Sequence, residues 1–201
     1  MSKVILAGNG SSVLDHNLGS YIDSEFDLVY RMNRFKTKGF EEYVGSRVDG
    51  WFAAEYFAKT LIHPDEKIEG SLRWKDFKYV FLCMPKFKYS IESVRHLLND
   101  EIQMLSYKYE DEINSVIDFS PKWPTTGLLS IQFLIEQYGK VYVHGFDGMS
   151  SNYEYIHYYD KGDPDRLTTK YNQPDRIDHD YSVEKKYLNI LRDEGKVIDI
   201  A

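Results

Sequence analysis

The chain is poor in cysteine, in proline and in long apolar runs, and each shortage removes a class of protein. It has one cysteine and six prolines in 201 residues. Cys83, inside "YVFLCM", has no partner for an internal disulfide, a usage that fits a reducing cytoplasm. No stretch approaches the ~20 apolar residues that cross a bilayer. The first apolar run is short and enters a glycine turn, unlike a signal peptide. The expected location is cytoplasmic, or peripheral to a membrane, with no transmembrane segment. Lysine and arginine form no cluster and the formal net charge is -7, so no nucleic-acid partner is expected. A small anion stays open, because backbone amides and helix ends hold one regardless of net charge.

Several chemical signatures are also missing. There is no G-K-[ST], so a Walker-type phosphate loop is excluded. A dinucleotide fingerprint needs three glycines; Gly8 and Gly10 are present, but Val13 stands where the third belongs. The next apolar run offers Asn33 near Arg31 and Arg34, where a ribose-binding acid would be expected. An NAD-dependent oxidoreductase is therefore a distant reading. Histidines and aspartates around His144, His157 and His179 raise a metal site as a rival. No H-E-x-x-H spacing occurs and no D-x-D pair is assigned to a nucleotide-bound cation, so no metal is expected.

What is present reads as a packed α/β domain. Hydrophobic residues make up 42% and aromatics 15%, enough for a sizeable core. Six short runs rich in β-branched and aromatic residues predict strands at 3–8, 26–32, 48–53, 78–84, 140–145 and 196–200. Helical periodicity marks 125–139, with Thr125 or Thr126 as cap and Gly139 as stop, and 182–195. Strands alternating with helices predict one Rossmann-like domain over 1–201, a mostly parallel sheet with helices on both faces. Residues from about 147 to 178 break the rhythm. They carry glycines, prolines and tyrosines without periodicity and are expected to form an inserted lid loop.

Three stretches carry chemistry. "KVILAGNGSS" is a buried strand entering a turn that presents Asn9, Gly10, Ser11 and Ser12, neutral groups suited to a ribose or phosphate. "WPTTGLL" starts a helix with Thr125, Thr126 and Gly127, whose open first turn favours an anion. The following strand ends at "HGFDG", which places Gly145, Phe146 and Asp147 on the carboxyl edge where open α/β sheets bind ligands. The third stretch pairs "HYYD" (157–160) with "HDYSVE", which holds His179 and Glu184.

These pieces, in this order, resemble the animal-type sialyltransferases of glycosyltransferase family 29. The large motif resembles residues 5–35, the small motif 124–146, the third motif "HYYD", and the very small motif the spacing of His179 and Glu184. "KVILAGNG" and Gly145–Asp147 also look like the bacterial family 42 enzymes. About half of the chain is covered, and residues 40–120 offer no likeness.

The resemblance implies a GT-A-like variant of the fold. It also implies a CMP-sugar donor, sialic acid or a related nonulosonic acid or Kdo, passed to a glycan or glycolipid hydroxyl with inversion and no cofactor. By residue, it implies that Asn9 and Asn33 hold phosphate and ribose with Ser11 assisting. Thr125, Thr126 and Gly127 touch the donor, and Phe146 and Asp147 border the cytidine. Gly10 and Gly145 complete the donor side. His157 steadies the departing phosphate and works charged; His179 is the general base and works neutral. Glu184 and Tyr158 support them. The family's disulfide, anchor and stem are missing, so a minimal bacterial or viral-type enzyme is expected. A non-catalytic nucleotide-binding module is the alternative from another class.

Overall fold

In the computed structural model the described residues are 2–57, 67–69, 72–84, 95–148, 154–160, 167 and 179–201. Strand β1 (Val4–Ala7) is buried at every position. That demands cover on both faces, and the two-residue period of a strand shows how it is met. Val4 and Leu6 enter one core while Ile5 enters another. The same split repeats in β2 (Leu28–Met32), with Tyr30 and Met32 against Val29. In β3 (Gly50–Ala54) Phe52 faces one side, Trp51 and Ala53 the other.

Seven strands form one sheet among the described residues, in the order β7-β6-β3-β2-β1-β8-β9. The remaining members are β6 (Tyr79–Cys83), β7 (Ile102–Met104), β8 (Val141–His144) and β9 (Val197–Asp199). Every neighbouring pair is parallel. The chain runs outward from β1 through β2, β3, β6 and β7, then returns to place β8 and β9 on the other side of β1. The order therefore reverses between β1 and β8, which opens a crevice beyond their carboxyl ends. A separate antiparallel pair, β4 (Lys67–Glu69) with β5 (Leu72–Arg73), lies outside this sheet.

Helices cover both faces. On one side α3 (Lys108–Val116), α4 (Thr126–Tyr138) and α5 (Tyr181–Asp193) bury Tyr109, Ile113, Leu128, Ile131, Leu134, Leu188 and Leu191 against the sheet. On the other, α1 (Gly19–Glu25) sets Ile22 on Ile5 and Val29. The one-turn α2 (Glu41–Val44) brings Val44 to Val13. Helix α4 is apolar nearly all round because it lies across the middle of the sheet. Thr125 caps it and Gly139, at φ +78°, ends it with its amide on the Ile135 carbonyl at 2.7 Å.

All six strands expected from the sequence are present, and so is the sheet class. Six elements were not expected: the β4–β5 pair, the one-turn α2, and β7, α3 and α1. β7 is a three-residue edge strand, too short to show a period. Helix α3 buries Tyr109 and Ile113 among acidic and polar neighbours, and α1 fully buries only Ile22 as a side chain, so neither carries a strong apolar stripe. Of the expected lid at about 147–178, residues 149–153, 161–166 and 168–178 lie outside the described residues. Among the described residues no helix is long and apolar enough to cross a membrane.

Candidate functional site

The crevice at the sheet's reversal is built from two turns pressed together. Beyond β1 the Gly8 amide donates to the His144 carbonyl at 2.7 Å, and the Gly10 amide to the Gly145 carbonyl at 3.1 Å. A Cβ on Gly8 would stand 2.6 Å from the Gly145 oxygen, and one on Gly10 equally close to the same atom. The glycines are thus required by the approach of the 145–147 turn, and Gly145 itself sits at φ +73° with Val13 against it. Val13 is fully buried there. The position where a dinucleotide fold keeps its third glycine is filled with core. Asp147 closes the junction by accepting from the Ser12 amide at 3.1 Å. A cavity of about 230 Å³ opens alongside, lined by Ser12, Asp15, His16, His144, Phe146 and Asp147 among others.

The "HYYD" segment docks onto this turn. Gly10 and His157 form an antiparallel bridge, and the Tyr158 amide donates to the Asn9 carbonyl at 3.2 Å. The Ser11 hydroxyl donates to the Tyr155 carbonyl at 2.6 Å, so it serves to hold this segment. Tyr158 is buried; its hydroxyl accepts from the Lys36 amide at 3.0 Å and donates to the Lys36 carbonyl. Tyr159 donates to the Arg34 carbonyl at 2.6 Å. Both tyrosines thereby pin residues 34–36, the loop that follows Asn33.

Asn9 and Asn33 meet in the same place. Asn9 Nδ2 donates to the carbonyls of Met32 (3.2 Å) and Arg34 (2.9 Å), while its buried Oδ1 has no hydrogen-bond partner among the described residues. Asn33 is in the left-handed region at φ 49°, a conformation asparagine tolerates better than most side chains. Its Oδ1 accepts from the Ala54 amide at 2.8 Å, and its carbonyl accepts from Trp51 Nε1 at 2.8 Å. One side-chain oxygen therefore ties the end of β2 to the end of β3.

The start of α4 packs directly on this group: a Cβ on Gly127 would lie 3.1 Å from Phe146 Cε1 and 3.2 Å from Met32 Sδ. The expected open helix N-terminus is only partly open. Thr125 Oγ1 accepts from the Leu128 amide at 3.3 Å, and the Thr125 amide donates to Glu184 Oε1 at 2.6 Å. The amides of Thr126 and Gly127 have no partner among the described residues. Glu184 is buried, and that burial pushes its carboxyl up to about 7, against the pull of the Thr125 hydrogen bonds.

His179 grips the same segment from the other side, with Nδ1 donating to the Trp123 carbonyl at 2.9 Å and the ring edge-on to Trp123. A carbonyl only accepts, so the neutral ring keeps its lone pair on Nε2. The spacing of His179 and Glu184 now has a physical reason. One residue precedes the cap Asp180 and the other sits in the first turn of α5, so both clasp residues 123–125. Chained contacts thus join Asn9, Asn33, Gly127, Phe146 and His157, with His179 fixed to the approach of α4.

The third histidine of the metal rival goes elsewhere. His144 is buried, its Nε2 without a partner among the described residues, and burial pushes it down to about 4. Its hydrogen bond is to the Tyr43 backbone. Among the described residues no three His, Cys, Asp or Glu side chains gather around a metal position. Two D-x-D spacings do occur, at 163/165 and 178/180; only Asp180 is described, and it caps α5 by accepting from the Ser182 and Val183 amides. The residue that sequence reasoning left without a role is Asp160. Its Oδ2 lies 2.6 Å from His157 Nδ1, and its signal was the i,i+3 spacing inside "HYYD".

The family model of glycosyltransferase family 29 (sialyltransferase) matches residues 2–109 and 67–196. The chain belongs to this family. The match runs through residues 40–120, where no likeness was expected. A chicken CMP-N-acetylneuraminate-beta-galactosamide-alpha-2,3-sialyltransferase 1 is 27% identical over 172 residues, 79% of this chain and 47% of the relative. A rat CMP-N-acetylneuraminate-beta-galactosamide-alpha-2,3-sialyltransferase 2 is 23% identical over 201 residues, 97% of this chain and 55% of the relative. The chain spans about half the length of these family 29 members. A crystal structure of a mammalian sialyltransferase superposes with a TM-score of 0.65 at 21% identity, covering 99% of this chain and 68% of that one. A second, in complex with Gal-beta-1-3GalNAc-ortho-nitrophenol, gives 0.64 at 19%, covering 99% and 69%. At that identity the likeness speaks for the fold.

Proposed function

We propose that this chain is a single-domain sialyltransferase that moves sialic acid, or a related nonulosonic acid or Kdo, from a CMP-sugar to a glycan or glycolipid hydroxyl. The transfer inverts the anomeric carbon and calls on no metal ion. The observation that carries the reading is the convergence of four separate sequence stretches on one crevice, the sheet's reversal between β1 and β8. Asn9 Oδ1 is a buried polar atom without a hydrogen-bond partner among the described residues.

In this reading Asn9 and Asn33 hold phosphate and ribose, and the amides of Thr126 and Gly127 face the anion. Phe146 and Asp147 border the cytidine. His179, whose Nδ1 donates to the Trp123 carbonyl, is the general base that takes the acceptor's proton as the new bond forms. His157 meets the negative charge that gathers on the departing phosphate. Ser11, Gly10, Gly145 and Tyr158 act one step back, by holding the turns in contact. Residues 147–178 would close over the donor and keep water out.

The relatives' names put CMP-N-acetylneuraminate first among donors to try, and β-galactosides first among acceptors. The test is thermal shift with CMP, UDP, GDP and NAD in the presence of a chelator, followed by a CMP-release assay with and without acceptor. Selective stabilisation by CMP and acceptor-dependent release are expected. Stabilisation by NAD, or CMP release that needs added divalent metal, would overturn the reading.

A further inference from the structure

We propose that Asp160 is the positioning residue for His157, fixing the ring so that Nε2 is the atom left for the donor's departing phosphate. The inference rests on the donor reading above and adds a residue to it.

The geometry leaves the ring little freedom. A histidine side chain has two torsions, and both are restrained here. Asp160 Oδ2 holds Nδ1 at 2.6 Å, and Tyr159 stacks on the ring with centroids 5.2 Å apart and planes 15° apart. Tyr159 is itself anchored through its hydroxyl to the Arg34 carbonyl. The main chain is fixed on both sides, by the bridge from His157 to Gly10 and by the Asp160 amide donating to the His157 carbonyl at 3.0 Å.

The carboxylate is also in an expensive place. The side chain of Asp160 is only 8% exposed, and a buried carboxylate is tolerated when a charged or strongly donating partner meets it. His157 Nδ1–H is that partner. An ionised carboxylate only accepts, so the proton stays on Nδ1 whenever the ring is neutral, and a second proton can go only to Nε2. A charged His157 paired with Asp160 then donates from Nε2. That is the form needed to meet growing negative charge on a leaving phosphate, with no reorganisation at the moment of transfer. The pair is the logic of a base oriented by an acid, here applied to a donor instead of a base.

The experiment uses the full chain labelled with 15N. Imidazole 1H–15N spectra, with His157 assigned by its loss in His157→Gln, report which nitrogen carries the proton in the neutral ring. The wild type is expected to show Nδ1–H, and Asp160→Asn to shift the population toward Nε2–H. The same substitution is expected to lower kcat on the order of 10²-fold, with KM for the CMP-sugar changed by less than about threefold. Nε2–H in the wild-type neutral ring overturns the proposal without any variant, so a misfolded variant cannot shelter it. An unmoved tautomer in a folded Asp160→Asn protein also overturns it. A wild-type chain that neither binds CMP nor transfers from any CMP-sugar overturns the donor reading instead, and the ring spectra still decide the role of Asp160.

Discussion

Glu184 holds Thr125 by two hydrogen bonds, from the amide to Oε1 at 2.6 Å and from the hydroxyl to Oε2 at 3.0 Å. Thr125 caps α4, so a side chain of α5 fixes where the central helix begins. Glu184→Ala would strip a partly buried amide of its acceptor and leave a gap. A cost of about 2–3 kcal/mol is expected. At this chain length that lowers Tm by roughly 4–10 °C. Glu184→Gln keeps an acceptor for the Thr125 amide and is expected to cost about 1 kcal/mol or less. Thermal denaturation of the two variants checks the order; equal losses would mean that shape, not hydrogen bonding, is what matters there.

Glu184 and His144 pull the pH dependence of stability in opposite directions. Glu184 is raised from 4.5 to about 7, so the folded state binds more protons between those values. Its contribution is fully present below about 4.5 and is lost as pH rises through about 7. His144 is lowered from 6.5 to about 4, so the unfolded state binds more protons there, and its contribution is lost as pH falls through that window. Each amounts to about 3 kcal/mol at most. From pH 4.5 to 6.5 the two nearly cancel, and urea midpoints of the wild type should be almost flat in that respect. In Glu184→Gln the midpoint should rise with pH across the window. In His144→Asn, which can keep a donor toward Tyr43, it should fall.

His179→Ala separates binding from chemistry. The ring meets Trp123 through Nδ1 and edge-on, while Glu184 holds the 123–125 segment independently at Thr125. Loss of the ring should leave the fold and CMP affinity nearly intact while transfer drops by roughly 10²–10⁴-fold. Equilibrium CMP binding and initial rates read the two separately. Unchanged transfer would remove His179 as the base, whereas a wild type that binds CMP without any transfer, and a variant that binds it alike, would favour the non-catalytic nucleotide-binding module.

Much of this was legible because strand burial writes itself into sequence. Ile5 and Leu6 need cover on opposite faces, so an unbroken apolar run signals a parallel sheet before any contact is known. Thr125 and Gly139 announced the ends of α4 through the chemistry of caps. The job of Gly8 and Gly10 was not legible. A glycine pair after a strand reads as room for a phosphate, yet the close approach comes from Gly145 and Asp147, 135 and more positions away. Ser11 likewise looked free for a ligand and is committed to Tyr155. Asp160 stood in plain view, but only the fold shows that it is buried against His157.

Asn33 does two jobs that a charge can split. Its Oδ1 accepts from the Ala54 amide at 2.8 Å, a role that a carboxylate oxygen fills equally well, and aspartate tolerates φ 49° nearly as asparagine does. Asn33→Asp should therefore fold with a Tm close to wild type. It would also place negative charge where a phosphate is proposed to sit, weakening CMP by roughly tenfold or more. Asn33→Ala loses both the Ala54 tie and the tolerated conformation, so it should cost stability as well as affinity. If Asn33→Asp binds CMP as the wild type does, the phosphate is not beside this residue.

Gly10→Ala tests the junction of the two turns. Gly10 is in extended backbone at φ -62°, ψ 147°, so alanine meets no torsional strain. Alanine also restricts the unfolded chain, which by itself would stabilise by about 0.4–1 kcal/mol. The added methyl, however, would stand 2.6 Å from the Gly145 carbonyl oxygen and closer still to the Asp147 carboxylate. The side chain can swing away at the cost of its bond to the Ser12 amide; the carbonyl cannot move without opening the β1–β8 junction. Overpacking of this kind typically costs about 1–3 kcal/mol, which outweighs the gain. A net loss of about 1–2 kcal/mol is expected, together with weaker CMP binding, because His157 and Asn9 hang from the same turn. Adding Asp147→Ala should recover only part of the loss, since the backbone contact remains. Full recovery in the double variant would place the whole conflict on the carboxylate, and no loss in the single one would mean that the turns are not locked together.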